Sequence, residues 1–291
     1  DMIAKELEKY EYAKEDIEVV HASEIIDMGD VPTVAIKDKK DSSLVVAMRL
    51  VREGKADALV SAGSTGAVLV GGQLVVGRLK GIKRPPLAPF IPTTKGFSLL
   101  IDCGANVDAR PEHLVQFAQM GSIYYENVMG KKNPTVALLN IGTEEEKGNQ
   151  LVKDTKPLMK ECKNINYIGS VEARELVSGA ADVIVCEAFV GNVVLKFFEG
   201  LALTLFGSLK EGLMSSTRTK LGALLVKPAL KGLKNQFDTS SQGGAPLLGL
   251  KGLVVKAHGN SSSKEIEIAL KQCISFKKQK INEKIKESIC D

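Results

Sequence analysis

Four short segments set glycine, hydroxyl and amide side chains where an apolar run ends: "SAGSTGA" at 61–67, "DCGAN" at 102–106, "NIGTEEEKGN" at 140–149 and "EAFVGNVVLK" at 187–196. Glycine lets backbone N–H groups approach an anion, serine and threonine hydroxyls donate hydrogen bonds, and the N-terminus of a following helix adds partial positive charge. A single turn of this kind is an ordinary helix cap. Its recurrence at successive strand ends describes a cradle of several loops for an oxyanion or a phosphate.

Two further residues extend that set. Lys196 follows Gly191 and Asn192 at the start of an apolar helix, and a lysine buried there would need an anion. His258 ends a strand-like run in "VVKAHGNSSSKE" and is either a locally bonded strand-end residue or a site histidine. His113, inside a helix that begins at Pro111, reads as packing or surface. The sequence holds neither GxGxxG nor GxxxxGK followed by Ser or Thr, and no GxSxG elbow, which argues against a standard dinucleotide fold, a P-loop and a serine hydrolase. Cys103, Cys162, Cys186, Cys273 and Cys290 lack CxxC spacing, so no zinc site or disulfide framework is legible. No metal or cofactor is expected, and the thiols fit a reduced, cytoplasmic setting. Cys103 invites a covalent acyl-enzyme reading, but no obvious base flanks it.

These turns need a scaffold that gathers strand ends. Apolar runs at 17–22, 56–63, 97–104, 134–142, 164–171 and 181–189 alternate with helical patterns at 42–55, 64–79 and 111–130. That is the βαβ signature of an α/β protein with a mainly parallel, doubly wound sheet, whose ligands sit at the carboxyl ends of the strands. Asp108 is the expected N-cap of the helix that starts at Pro111. Residues 261–291, with apolar side chains at Ile266, Leu270, Ile274, Ile281, Ile285 and Ile289, read as one long amphipathic helix.

With 291 residues, 27 glycines and 5% aromatics, the chain suits close helix-on-sheet packing in one α/β unit, or in two lobes sharing a sheet. Its net charge of +4 is too mild to announce nucleic acid. No segment approaches the ~20 uncharged apolar residues of a membrane span, so the chain reads as soluble, though able to touch a bilayer. Residues 206–237 stand apart: Lys210, Arg218, Lys220, Lys227, Lys231 and Lys234 face only Glu211 among many leucines, with Pro228 as an interruption. They read as an inserted pair of basic helices, suited to an anionic membrane surface or to an interface. A second basic group, Arg78, Lys80, Lys83 and Arg84, either docks an acidic partner or completes a helix end.

In order, and over most of the chain, "SAGSTGA", "GRLKGIKRPPLAPFIPT" (77–93), "LLIDCGANVDARPEHLVQFAQMGSIY", "LLNIGTEEEKGN", "NINYIGSVEARELVSGAADVIVCEAFVGNVVLK", "GGAPLLGLKG" (243–252) and "VVKAHGNSS" resemble the PlsX family of phosphate acyltransferases. The resemblance implies transfer of a fatty acyl group from acyl carrier protein to inorganic phosphate, giving acyl phosphate for phospholipid synthesis. It also implies a homodimer, on a fold similar to isopropylmalate dehydrogenase and phosphotransacetylase. The chain departs from the family pattern at Ser64 (usually Asn), at Glu187 and Ala188 (usually Asp-Gly) and at Gln242 (usually Tyr), and it begins at Asp1 beyond the family's opening strand.

Under that resemblance the candidate residues take roles. Asn106, Asn140 and Asn192 are neutral donors for an oxyanion or phosphate, and Lys196 supplies charge. Ser64, Thr65 and Thr143, with the backbone at Gly66, Gly142 and Gly191, complete the cradle. Asp102 orients its turn, and His258 protonates the leaving thiolate or orients phosphate. A thiolate leaves with little acid help, so no triad is required. Two other readings are a dehydrogenase of similar fold, which would need a nicotinamide site and paired metal-binding aspartates, and a non-catalytic membrane scaffold.

Overall fold

The computed structural model describes residues 2–104, 106–237 and 243–289; Gln242 and Cys290 lie outside the described residues. In chain order the elements are α1 (Met2–Leu7), α2 (Pro32–Asp38), α3 (Ser43–Arg52), β1 (Ala58–Ser61), α4 (Thr65–Gly71), β2 (Phe90–Thr93), β3 (Gly96–Ile101) and α5 (Pro111–Met129). There follow β4 (Thr135–Asn140), α6 (Gln150–Glu161), β5 (Asn166–Glu172), β6 (Val183–Val185), α7 (Ala188–Met214), α8 (Thr217–Gln236), β7 (Ala245–Leu247), β8 (Leu253–Lys256), α9 (Ser263–Lys278) and α10 (Ile281–Ile289).

The expected sheet comes as two. One has the order β1-β8-β7 and the other β2-β3-β6-β4-β5. Strands β3, β6, β4 and β5 run parallel, as do β1 and β8, while β2 and β7 join antiparallel at the edges. Strand alternation divides the apolar residues between layers. Leu99, Ile101, Val136, Leu138, Val183 and Val185 face α5, α9 and α10, in a core that also takes Leu253 and Val255 from the smaller sheet. Leu100, Ala137, Leu139 and Ile184 point the other way, toward Val190, Val194 and Leu195 of α7. The far side of the smaller sheet packs Val254 and Leu247 on Met48, Val51 and Val68.

Several local expectations need correction. Residues 17–22 form no strand, and Ile17, Val19 and Val20 are exposed: a short apolar run becomes a strand only when a neighbour takes up its hydrogen bonds. Helix α5 is capped by Arg110, not Asp108; the Arg110 N–H donates to His113 Nδ1 at 3.1 Å, and Gly130 ends the helix in the left-handed region at φ 69°. The carboxyl-terminal helix is two helices, broken where Lys280 takes φ 53°.

The basic insertion is longer than the composition suggested. Helix α7 runs 27 residues from Ala188, capped by Glu187, whose carboxylate accepts from Val190 N at 2.9 Å and Phe189 N at 2.5 Å. Pro228 lies inside α8 without ending it. Helix α7 is also long and apolar enough, by length and composition, to cross a membrane, which corrects the reading that no segment approaches that size. Two of its charges, Lys196 and Glu199, pair at 3.1 Å. Its first turns are nonetheless built into the fold: a Cβ at Gly191 would lie 2.0 Å from the Asp102 carbonyl oxygen, so only glycine fits.

Candidate active site

A cleft of about 1280 Å3 lies between the strand ends and the α7–α8 pair. Thr65, Asn192, Lys196 and His258 of the expected set line it, with Cys103. Thr65 stands at the start of α4, where Ser64 is the N-cap and accepts from Ala67 N at 3.4 Å. Gly66 lies against the Pro32 ring, where a Cβ would meet Cγ at 2.6 Å. Asn192 donates its side-chain amide to the Cys103 carbonyl at 3.1 Å, which fixes the first turn of α7 to the end of β3.

The "DCGAN" turn is satisfied from within. Asp102 has no exposed surface, and its Oδ1 accepts from the N–H groups of Leu87 and Gly104, each at 2.7 Å. Its Oδ2 accepts from Asn106 Nδ2 at 2.6 Å and Asn106 N at 3.3 Å, and Asn106 Nδ2 also donates to the Pro85 carbonyl at 3.1 Å. Segment 85–88 in turn joins the smaller sheet, with Leu87 bridging Leu247 and Ala88 N donating to the Pro246 carbonyl at 3.1 Å. The turn therefore ties the two sheets together behind the cleft wall. Burial pushes the Asp102 carboxyl up to about 6, against the lowering by its donors. Cys103 is buried, and burial followed by the nearby Cys186 and Asp102 charges pushes its thiol well above the ordinary range, which keeps it protonated rather than nucleophilic.

The loop after β4 is braced in a different way and does not line the cleft. Asn140 Nδ2 donates to the carbonyls of Gly142 at 2.8 Å and Lys147 at 3.1 Å. The buried lysine of this protein is Lys156, whose Nζ reaches the carbonyls of Glu144, Glu145 and Lys147 at 2.8–3.1 Å. Gly142 is buried and Thr143 is exposed on the loop's outer side.

Lys196 is not buried: 58% of its side chain is exposed, and its ion-pair partner is Glu199. The cation that composition concealed is Lys256, at the carboxyl end of β8 beside Ser61 and in the same cleft wall as His258. Burial lowers its pKa, and the positive charge of Lys196 lowers it further. Lys196 and Lys256 thus line one cleft with Thr65, Asn192 and His258, and an anion between the two lysines would relieve their repulsion. The His258 ring is oriented by Asn260 N, which donates to Nδ1 at 3.2 Å. The signal available in sequence was "VVKAHG", where the histidine drew attention and the lysine did not. Among the described residues no group of three or more His, Cys, Asp or Glu side chains is placed to hold a metal ion.

The chain matches the family described as "Fatty acid synthesis protein" over residues 1–284. A phosphate acyltransferase of Alkaliphilus oremlandii is 54% identical over 288 residues, covering 99% of this chain and 86% of that protein. One from Clostridioides difficile is 51% identical over 290 residues, covering 99% and 85%. Among solved structures, a phosphotransacetylase from Streptococcus pyogenes aligns with TM-score 0.57 at 18% identity, over 82% of this chain and 69% of that one. A branched-chain phosphotransacylase from Enterococcus faecalis aligns with TM-score 0.53 at 18% identity, over 80% and 78%. The structural likeness establishes a shared α/β architecture and nothing finer. The sequence likeness spans nearly the whole chain, and on it the chain belongs to the fatty acid synthesis protein family, alongside relatives that are phosphate acyltransferases.

Proposed function

We propose that this protein transfers a fatty acyl group from acyl carrier protein to inorganic phosphate. One observation carries the reading: a single cleft brings Lys196, Lys256, Thr65 and Asn192 together with a long α7–α8 arm that is largely apolar and also carries lysines, as an acylated anion requires, in a chain of this family. Phosphate sits between Lys196 and Lys256, with Thr65 and Asn192 at its sides. A phosphate oxygen attacks the thioester carbonyl, the C–O bond forms, the C–S bond breaks through a tetrahedral oxyanion, and the thiolate takes a proton from His258 or from phosphate itself. The Asp102–Asn106 turn positions this machinery and does not touch the reacting atoms.

The same reading assigns a cytoplasmic enzyme of phospholipid synthesis at the membrane surface, working as a homodimer. In its support, Phe189, Val193, Phe197, Leu201 and Leu205 recur every four residues on the outer side of α7, each more than half exposed, as a face that a second copy would cover. The test is to mix the protein with acyl-acyl carrier protein and phosphate and to follow acyl phosphate by mass spectrometry. Thioester loss that does not depend on phosphate, or no acyl phosphate at all, would overturn the assignment.

A further inference from the structure

We infer that the acyl chain lies along the inner side of α7 and that Ala202 determines how long a chain the cleft accepts. The inference rests on the acyltransferase reading above and adds to it the part of the site that selects among substrates.

Helix α7 has two apolar rows, and they differ. The outer row is the exposed four-residue repeat from Phe189 to Leu205. The inner row is Leu195, Phe198, Ala202, Phe206, Leu209 and Leu213, all of which line the cleft. Its steps of three and four residues keep it on one side of the helix. The row starts beside Asn192 and Lys196, which line the same cleft, so polar end and apolar arm are continuous. Opposite it, α8 supplies Ala223, Leu224 and Leu230 together with Lys220, Lys227, Lys231 and Lys234.

Within the inner row every side chain is large except one. Ala202 leaves a notch between the rings of Phe198, one turn before it, and Phe206, one turn after it. At the rise of an α-helix, Ala202 stands about 9 Å beyond Lys196, and Leu213 about 25 Å beyond it. A short acyl chain held at the lysines ends before or at the notch, whereas a long one must pass over it. A ring at position 202 would join those of Phe198 and Phe206 into a ridge across the arm. The notch is thus a control point for chain length, and it lies about 9 Å from Lys196.

The test compares the parent with Ala202→Phe on acyl carrier proteins bearing 8-, 12- and 16-carbon chains, reading kcat/KM for acyl phosphate formation at about neutral pH. The expected result is a loss of about tenfold or more on the longest chain with the shortest changed about twofold or less, since steric exclusion acts only where chain and ring overlap. A second measurement, displacement of a fluorescent 16-carbon fatty acid by unlabelled fatty acids of the same three lengths, should show the same selective loss. Ala202→Ser, which leaves the notch open, should keep the parent's profile. Equal loss at all three lengths in a variant with native circular dichroism, or an unchanged profile in both measurements, would overturn the inference. A parent that binds fatty acid in this length-dependent way but forms no acyl phosphate would overturn the acyltransferase reading and leave the assignment of the arm intact.

Discussion

The side-chain amide of Asn106 donates to the Asp102 carboxylate across 2.6 Å, and that carboxylate, without exposed surface, also receives the N–H of Leu87 from a segment bridged to the other sheet. Four donors converge on two oxygens, so the turn after β3 acts as a staple between sheets as well as a wall of the site. Two of the lysines that line the cleft lie on opposite sides of this junction, Lys256 at the end of β8 and Lys196 on α7. Their spacing therefore depends on the staple.

Asp102→Asn should destabilise the protein by about 1–3 kcal/mol in urea unfolding, because an amide nitrogen would meet N–H donors where a carboxylate oxygen accepted them. The pH dependence has a definite sign. Burial raises the native carboxyl to about 6 from 3.8, so the native state holds the proton more tightly than the unfolded state. The contribution of Asp102 to stability is fully present below about 3.8 and is lost as pH rises through about 6. The stability gap between parent and Asp102→Asn should therefore widen as pH falls through that window. A gap that narrows would mean that the donors outweigh burial and hold the carboxyl low.

Lys256→Met should raise the phosphate KM by about tenfold or more, on the ground that a charge-assisted contact contributes roughly 1.5–3 kcal/mol. Lys196→Met should have the smaller effect, because Lys196 is exposed and already paired with Glu199. Burial and the neighbouring lysine depress the Lys256 pKa, so phosphate, by offsetting that repulsion, should raise it. Binding of phosphate in alkaline buffer should accordingly take up protons, and a calorimetric enthalpy that is independent of buffer ionisation in the parent would count against Lys256 as a ligand.

Much of this arrangement was readable along the chain. The apolar runs at 56–63, 97–104, 134–142 and 181–189 contain strands that end at Ser61, Ile101, Asn140 and Val185, and Pro111 does open a helix, because apolar runs and helix starts are largely local properties. What depends on distant partners was not readable. The acceptors of the Asn106 amide are Pro85 and Asp102, and nothing near residue 106 announces the proline. Lys256 looks like any strand-end lysine until β8 is set beside β1 and facing α7. Lys196 was expected to be buried because its neighbours are apolar, but on α7 those neighbours divide between two faces and leave the lysine exposed at the rim. The strand expected at 17–22 was a short apolar run that finds no partner strand among the described residues.

Charge reversal at Lys83 and Arg84 should weaken docking of the acidic carrier and flatten its salt dependence. Both side chains are exposed, and the Lys83 ammonium pairs with Glu112 at 3.6 Å, an exposed pair of little worth to the fold. The check is kcat/KM on acyl carrier protein against kcat/KM on acyl-pantetheine, which lacks the acidic surface. Equal losses on both would assign the patch to the active site or to stability and remove it from docking.

The outer surfaces of α7 and α8 should separate by function. Leu221 and Leu225, 66% and 80% exposed, stand one turn apart on α8 outside the cleft lining, as does Arg218, on a helix whose Lys220, Lys227, Lys231 and Lys234 line the cleft. Such a helix can rest in the headgroup layer, where each near-surface cation adds up to about 1 kcal/mol with anionic lipid. Phe197 and Leu201, 69% and 52% exposed, belong to the outer row of α7, where no basic residue accompanies the repeat beyond Lys196 and Lys210. Replacing Leu221 and Leu225 with Glu should abolish flotation with phosphatidylglycerol vesicles while leaving the oligomeric state and the transfer of soluble substrate unchanged. Replacing Phe197 and Leu201 with Glu should instead convert dimer to monomer in sedimentation. If the α8 variant dissociates and the parent never floats, the whole α7–α8 pair is an interface between copies; if the α7 variant stays a dimer and loses flotation, the outer row of α7 is the lipid-facing surface.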